Sequence, residues 1–428
     1  MLKPFIFAAS AALVVASPVL AAKGFTIYPP GVDPTSALIS EALYTGEFNS
    51  GLAQLVPLAA KGDTKAAFGV GTIKLTMAIQ GLAQTLYRHG FDLPGAPEAG
   101  ISAGVQIPQN PSPEPFDYAG VRKMLSDFVA GLDDARASFD VAAKSGDYVI
   151  ELNPLKILID ANGDGKVEQA ESLAGLYAMW THVSLDEAMR PHPDGASPAF
   201  EFIGLDRADA YWLAGYTDVL AAQADFVLAH DFSSFTDAAF HRFFPKAGFP
   251  MQDYSRGNGM LIMSPDTDTG IADLVAAVHT IDWPVTDAAK LSGVRDRLKS
   301  VLAYSRQNWD AILAETDDNH ELLPSPKQTG LVPKSSITDE RVAAWRATLD
   351  EADKILDGAL LIPHWRFKQG FDLKAYFDTA KQTDLVMLLT GLDALPFLKD
   401  GPVASATDFR AIQAAFGNYW LGYAFWFN

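Results

Sequence analysis

Apolar residues recur at three- and four-residue spacing over most of the chain. Between Asp63 and His89 the stripe reads Ala67, Val70, Leu75, Ile79, Leu82 and Leu86, and Gly90 follows as a stop signal. Asp117 to Lys144 puts Val121, Leu125, Phe128, Leu132, Ala135 and Phe139 on one face. A third long segment runs from Leu205-Asp206 to His230 and carries Trp212, Leu213, Tyr216, Leu220, Phe226 and Val227. The same period predicts helices near residues 236–243, 270–280, 285–315, 338–357, 373–381, 384–391 and 406–416. Strict alternation of apolar and polar residues is scarce. The expected class is therefore mainly α, a multi-helix globular or solenoid-like bundle.

Long Pro/Gly-rich loops separate these segments. Residues 92–116 hold Pro94, Pro97, Pro108, Pro111, Pro113 and Pro115, which forbid a helix and predict an ordered loop or extended belt. Residues 244–269 mix Pro, Gly, Asp and Met, and residues 316–336 pass through Pro324-Ser325-Pro326, where an internal boundary is expected within an otherwise single domain, 22–428. Leu132 to Asp140 echoes Leu349 to Asp357, with Leu125 matching Val342 and Phe128 matching Trp345. Duplication explains the echo, and so does convergence of two amphipathic helices.

One stretch carries legible chemistry: Asp160-Ala161-Asn162-Gly163-Asp164-Gly165-Lys166-Val167-Glu168-Gln169-Ala170-Glu171. Oxygen-bearing side chains fall at positions 1, 3, 5, 9 and 12 of these twelve residues, with Gly165 at position 6. A calcium ion takes six to eight oxygens, and Asp160, Asn162, Asp164, the Lys166 carbonyl, Glu168 (directly or through water) and a bidentate Glu171 could supply them. A solvated Asp-Asn-Gly turn between helices would use the same residues for turn chemistry. The segment resembles an EF-hand loop. Position 13 is Ser172, with Leu173 one place later. The entry Asn153-Pro154-Leu155-Lys156-Ile157-Leu158-Ile159 lacks a helical period and reads as extended. The exit is expected to be a helix from Glu168 to Trp180 with Leu173, Leu176 and Trp180 on one stripe. The resemblance is thus to the dockerin-like variant, loop plus exit helix, and spans about residues 155–181. It implies calcium as the bound ion, and Val167 as the short extended element through which such loops pair. As a whole the chain resembles exported bacterial proteins with one internal EF-hand, a resemblance that carries no activity.

The N-terminus reads as a secretory signal: Lys3, an apolar run from Phe5 to Ala16, and small residues at Val19 and Ala21, so cleavage after Ala21 is expected and localisation periplasmic or secreted. The apolar run is short for a membrane span and no stop-transfer segment follows it. Removing residues 1–21 takes away Lys3 alone, leaving 32 basic and 52 acidic residues, a net charge of −20. A surface so acidic repels phosphate backbones, which argues against a nucleic-acid partner. The chain contains 0 Cys, so disulfides, thiolate metal sites and cysteine nucleophiles are excluded.

No catalytic motif stands out. Gly100-Ile101-Ser102-Ala103-Gly104 matches G-x-S-x-G but lies between proline-rich segments, without the strand and helix of a nucleophile elbow. The histidines show no H-E-x-x-H spacing, and His230 and His241 lie either side of Asp231-Phe232-Ser233-Ser234-Phe235, close enough to meet across a turn, as helix caps or as a polar core pair. Trp365, in Pro363-His364-Trp365-Arg366-Phe367, and the tail Tyr419 to Asn428 offer aromatic faces that could stack on a glycan or protein ligand, or pack into the core. Two readings remain open: an exported protein in which calcium is structural, serving as a binding or scaffold component; and a glycan-active enzyme on a helical toroid, with Asp206, Asp209 and His364 as candidate groups that no spacing selects.

Overall fold

Aspartate starts most of the helices. The structure, a computed structural model, describes residues 33–92, 109–172, 174–175, 203–251, 265–318, 321–329 and 337–405. In it Asp33, Asp63, Asp117, Asp206, Asp287, Asp372 and Asp384 each cap the first turn of a helix through a side-chain oxygen. Such a cap takes up an N–H that the helix itself leaves unpaired, and is worth about 1 kcal/mol. Part of the chain's acidic surplus therefore serves helix initiation, where negative charge is favourable.

The helices are α1 (Pro34–Thr45), α2 (Phe48–Ala59), α3 (Thr64–Arg88), α4 (Tyr118–Ala142), α5 (Arg207–Leu228), α6 (Ser233–Ala239), α7 (Pro265–His279), α8 (Ala288–Ala314), α9 (Asp339–Leu356), α10 (Leu373–Thr379) and α11 (Leu385–Thr390). The protein is mainly helical, as its periodicity predicts. The single helix predicted over 236–243 is instead α6 followed by a 3-10 turn, Phe240–Arg242. The helix predicted over 406–416 and the aromatic tail lie outside the described residues, as do residues 1–21 and Gly100 to Gly104. Strands are short: β1 (Ile150–Leu152) pairs antiparallel with β2 (Ile203–Leu205), β3 (Asp282–Pro284) with β6 (Gln382–Asp384), and β5 (Gly370–Phe371) lies between β4 (Ile362–Pro363) and β7 (Leu398–Lys399).

α3, α4, α5 and α8 pack in that order, each against the next, and α1 and α2 close over α3. Ile39, Leu55, Phe68, Ile73, Leu132, Phe139 and Leu213 form the main core. Phe139 meets Phe68 edge-on with ring centroids 5.7 Å apart. Leu132 and Phe139 on α4, like Leu349 and Leu356 on α9, are buried, as a shared amphipathic stripe requires. A second cluster gathers Trp309, Val342, Trp345 and Leu349 with Leu323 of the 321–329 segment.

An ionic layer crosses the α4–α5–α8 contact. Arg297 on α8 donates from Nε to Asp225 (2.9 Å), from Nη1 to Asp218 and Asp133 (both 2.8 Å) and from Nη2 to Asp133 (2.9 Å). Lys290 shares Asp225 at 2.7 Å, and Arg136 lies 3.5 Å from Asp218. The Arg297 guanidinium holds the Asp133 carboxyl below its usual range. A layer of this kind fixes the register of three helices more than it adds net stability.

Candidate calcium loop and a buried carboxyl cluster

The loop begins where the chain leaves a 3-10 turn, Pro154–Lys156, capped by the Asn153 side chain. Ile157 and Ile159 enter the main core, while Leu158 donates its N–H to Leu43 O at 2.9 Å and bridges Ser172 in antiparallel fashion. This bridge draws the two ends of the loop together. It also corrects two expectations. The extended pairing falls at Leu158 and Ser172, while Val167 lies against the end of α1. There Gly46, at φ +73°, leaves no room for a side chain, since a Cβ would stand 2.8 Å from Val167 Cγ1. No α-helix starts at Glu168: a 3-10 turn, Gln169–Glu171, comes first, because Ser172 is held extended by its bridge. Ala174 and Gly175 are helical, and residues 176–180 of the predicted exit helix lie outside the described residues.

Within the loop the predicted ligands turn inward. Asp160 accepts from Gly163 N at 2.7 Å and from Gly165 N at 3.1 Å. Asn162 Oδ1 accepts from Asp164 N, and Asp164 Oδ1 from Lys166 N, at 2.7 and 2.8 Å. Gly163 and Gly165 have φ of +77° and +79°, the left-handed conformation that folds the chain back and that glycine adopts without strain. Glu171 is buried and reaches across the loop: Oε1 accepts from Asn162 N at 3.1 Å and Oε2 from Glu168 N at 3.2 Å. Burial raises its pKa, and the carboxylates of Asp160 and Asp164 add to the rise. Glu168 itself is exposed. Among the described residues, no three Asp, Glu or His side chains are drawn as close together as a bound ion would hold them. The loop carboxylates are engaged by loop amides instead. The chemistry of the donor set nevertheless suits calcium: the side chains of Asp160, Asn162, Asp164 and Glu171 offer oxygen alone.

A second group of acids comes together where the start of α5 meets the end of α8. Asp206 caps α5, accepting from Ala208 N and Asp209 N, and Asp209 accepts from Asp206 N at 2.9 Å, a reciprocal capping box. Glu315, the residue after α8, is hydrogen-bonded to Asp206 carboxyl to carboxyl, and its Oε2 accepts from Gln328 Nε2 at 3.0 Å. Glu315 Oε1 is buried and receives no N–H. Two carboxylates in contact repel, so the pair holds a shared proton. Burial, followed by the charge of Asp206, pushes Glu315 up to about 8. Asp209 is raised chiefly by its burial, then by Asp206. Glu321, also buried, adds negative charge to both. Asp206 and Asp209, at the start of α5, are candidates that no spacing in the sequence selects. Glu315 and Glu321 were not legible as candidates, since only the fold brings them near.

His230 and His241 do not meet. His230 Nε2 lies 2.7 Å from Thr383 Oγ1, and His241 Nε2 lies 3.0 Å from Asp273 Oδ2, so each has its own partner. His364 contacts Leu388 O at 3.2 Å, and Trp365, 73% exposed, donates its indole N–H to Leu389 O at 2.8 Å with Arg366 over its ring. Trp365 is thus an anchored surface residue and not part of the core. Comparison with protein-family models, with curated proteins and with solved structures gives no match.

Proposed function

We propose that the protein is an exported helical scaffold or binding component in which one calcium ion, held by loop 160–171, stabilises the fold. Asp160, Asn162, Asp164 and Glu171 would hold the ion together with the Lys166 carbonyl, and Glu168 directly or through water. The observation that carries this reading is the placement of Glu171: a buried carboxyl spans the loop from Asn162 N to Glu168 N and feels the negative charge of Asp160 and Asp164. A cation would relieve the repulsion among three such groups. The entry to the loop is fixed to α1 and α3, and Ser172 at its exit bridges back to Leu158, which suits a structural ion better than a switch. Titration calorimetry tests it. One calcium per chain is expected for the wild type, much weaker magnesium binding, and no specific heat for Asp160→Ala with Glu171→Gln.

The enzyme reading has less support. Of its candidate groups, Asp206 and Asp209 are engaged in the capping box of α5, Asp209 being 6% exposed, and His364 contacts Leu388 O. A cavity of ≈ 450 Å³ among the described residues, between α2, α3 and α4, is lined by Leu52, Met77, Leu82, Met124 and Phe128, with the Lys74–Asp134 pair on it, and by none of the acids of the cluster.

A further inference from the structure

Both main-chain groups of the loop's first residue are gripped by one helix. Gln84 Nε2 on α3 donates to Asp160 O at 2.7 Å, and Gln80 Oε1 accepts from Asp160 N at 2.9 Å. Four residues apart, the two glutamines lie on the same face of α3, one turn from each other. Gln84 also runs beside the turn, since a Cβ on Gly163 would stand 3.7 Å from its Cγ. The Asp160 side chain is at the same time directed inward by Gly163 N and Gly165 N. Its backbone is therefore fixed from outside the loop and its carboxylate from inside.

We propose that Gln80 and Gln84 are positioning residues for calcium: they preorganise Asp160, and so set the affinity of the loop without touching the ion. The proposal rests on the calcium reading above. A ligand already held in its bound conformation loses less freedom on binding, so releasing it weakens affinity though every ligand remains. Each clamp bond is a side-chain to backbone hydrogen bond, and its loss should weaken binding about two- to tenfold.

The test is calcium titration calorimetry of the full chain carrying Gln80→Ala, Gln84→Ala, both together, Gln80→Glu or Gln84→Glu. The alanine variants should still bind one calcium per chain, more weakly in each case and weakest in the double variant. The glutamates separate clamping from general destabilisation. Gln80→Glu keeps an acceptor for Asp160 N–H and should bind at least as tightly as wild type. Gln84→Glu faces a carboxylate with a carbonyl and should bind more weakly than wild type. Unchanged affinity in the alanine variants overturns the proposal, as does equal affinity in the two glutamate variants. A wild type that takes up no calcium overturns the calcium reading itself, and the clamp with it.

Discussion

Thr383 Oγ1 stands 2.7 Å from His230 Nε2, and this contact fixes the state of a fully buried imidazole. His230 Nδ1 lies 2.6 Å from the carbonyl of Phe226, which can only accept, so Nδ1 carries the proton. Nε2 must then accept from the Thr383 hydroxyl, and Thr383 Oγ1 in turn accepts from Tyr376 O–H at 2.6 Å. The chain of bonds runs one way, from α10 through β6 to the end of α5. Arg122 on α4 donates to the carbonyls of Leu228 and His230 beside it.

Protonating His230 would set two donors against each other at Thr383. Burial depresses the imidazole's pKa below its ordinary value. The unfolded chain accepts the proton near about 6.5 and the folded chain only at lower pH, so the stability this group contributes is present above about 6.5 and is lost as pH falls below it. Denaturant unfolding at successive pH values should show this loss. Thr383→Val should cost about 1–3 kcal/mol at neutral pH by stranding His230 Nε2 and the Tyr376 hydroxyl.

The shared proton at Asp206 and Glu315 predicts the opposite slope. Glu315 is raised to about 8, so the folded state holds a proton that the unfolded carboxyl releases near about 4.5. Stability contributed here is present below the unfolded value and declines as pH rises toward 8. Glu315→Gln supplies a permanent N–H donor to Asp206 and should remove this decline. The comparison is thermal unfolding of wild type and variant at pH 6 and pH 8: the variant should be the more stable at pH 8. Equal slopes would mean that the pair is not proton-linked.

Arg297 holds three carboxylates, two of them nearly inaccessible, with Asp218 at 2% and Asp225 at 8% side-chain exposure. Arg297→Met should destabilise by about 3–5 kcal/mol, because it leaves Asp218 and Asp225 buried with weaker partners. Arg297→Lys should recover little of this, since a single ammonium cannot reproduce donation from Nε, Nη1 and Nη2 at once. The shift in urea midpoint at constant slope reads the effect.

The long helices were legible because packing between helices obliges their apolar stripes to repeat, as Leu132, Ala135 and Phe139 do on α4. α1 and α2 were not anticipated, although Asp33 and Pro34 make a strong start signal. They are short, and α2 carries Pro57 in its interior, which masks the pattern. The loop was legible because its oxygen-bearing residues are local in sequence. Its setting was not. Gln80, Gln84 and Gly46 lie many residues away, and Glu315 reaches Asp206 only through tertiary contact. The exit from the loop departed from expectation because the Leu158–Ser172 bridge outweighs the helical preference of the residues after Glu168.

Export predicts that protein recovered from periplasm or medium begins at Ala22 or within a residue or two of it. Intact mass and N-terminal sequencing decide the matter. Full-length protein retaining Met1 in the cytosol would reverse the localisation.

The central claim is that calcium stabilises this fold without reshaping it, and thermal unfolding with and without calcium tests it most directly. With calcium at 100 times Kd, binding adds about 2.7 kcal/mol to stability. For a chain of this size the unfolding temperature of the wild type should rise by a few degrees over that in chelator, with far-ultraviolet helicity at room temperature nearly unchanged. The variant with Asp160→Ala and Glu171→Gln should show no such rise. An unfolding temperature indifferent to calcium in the wild type, or a rise equal in the variant, would contradict the account.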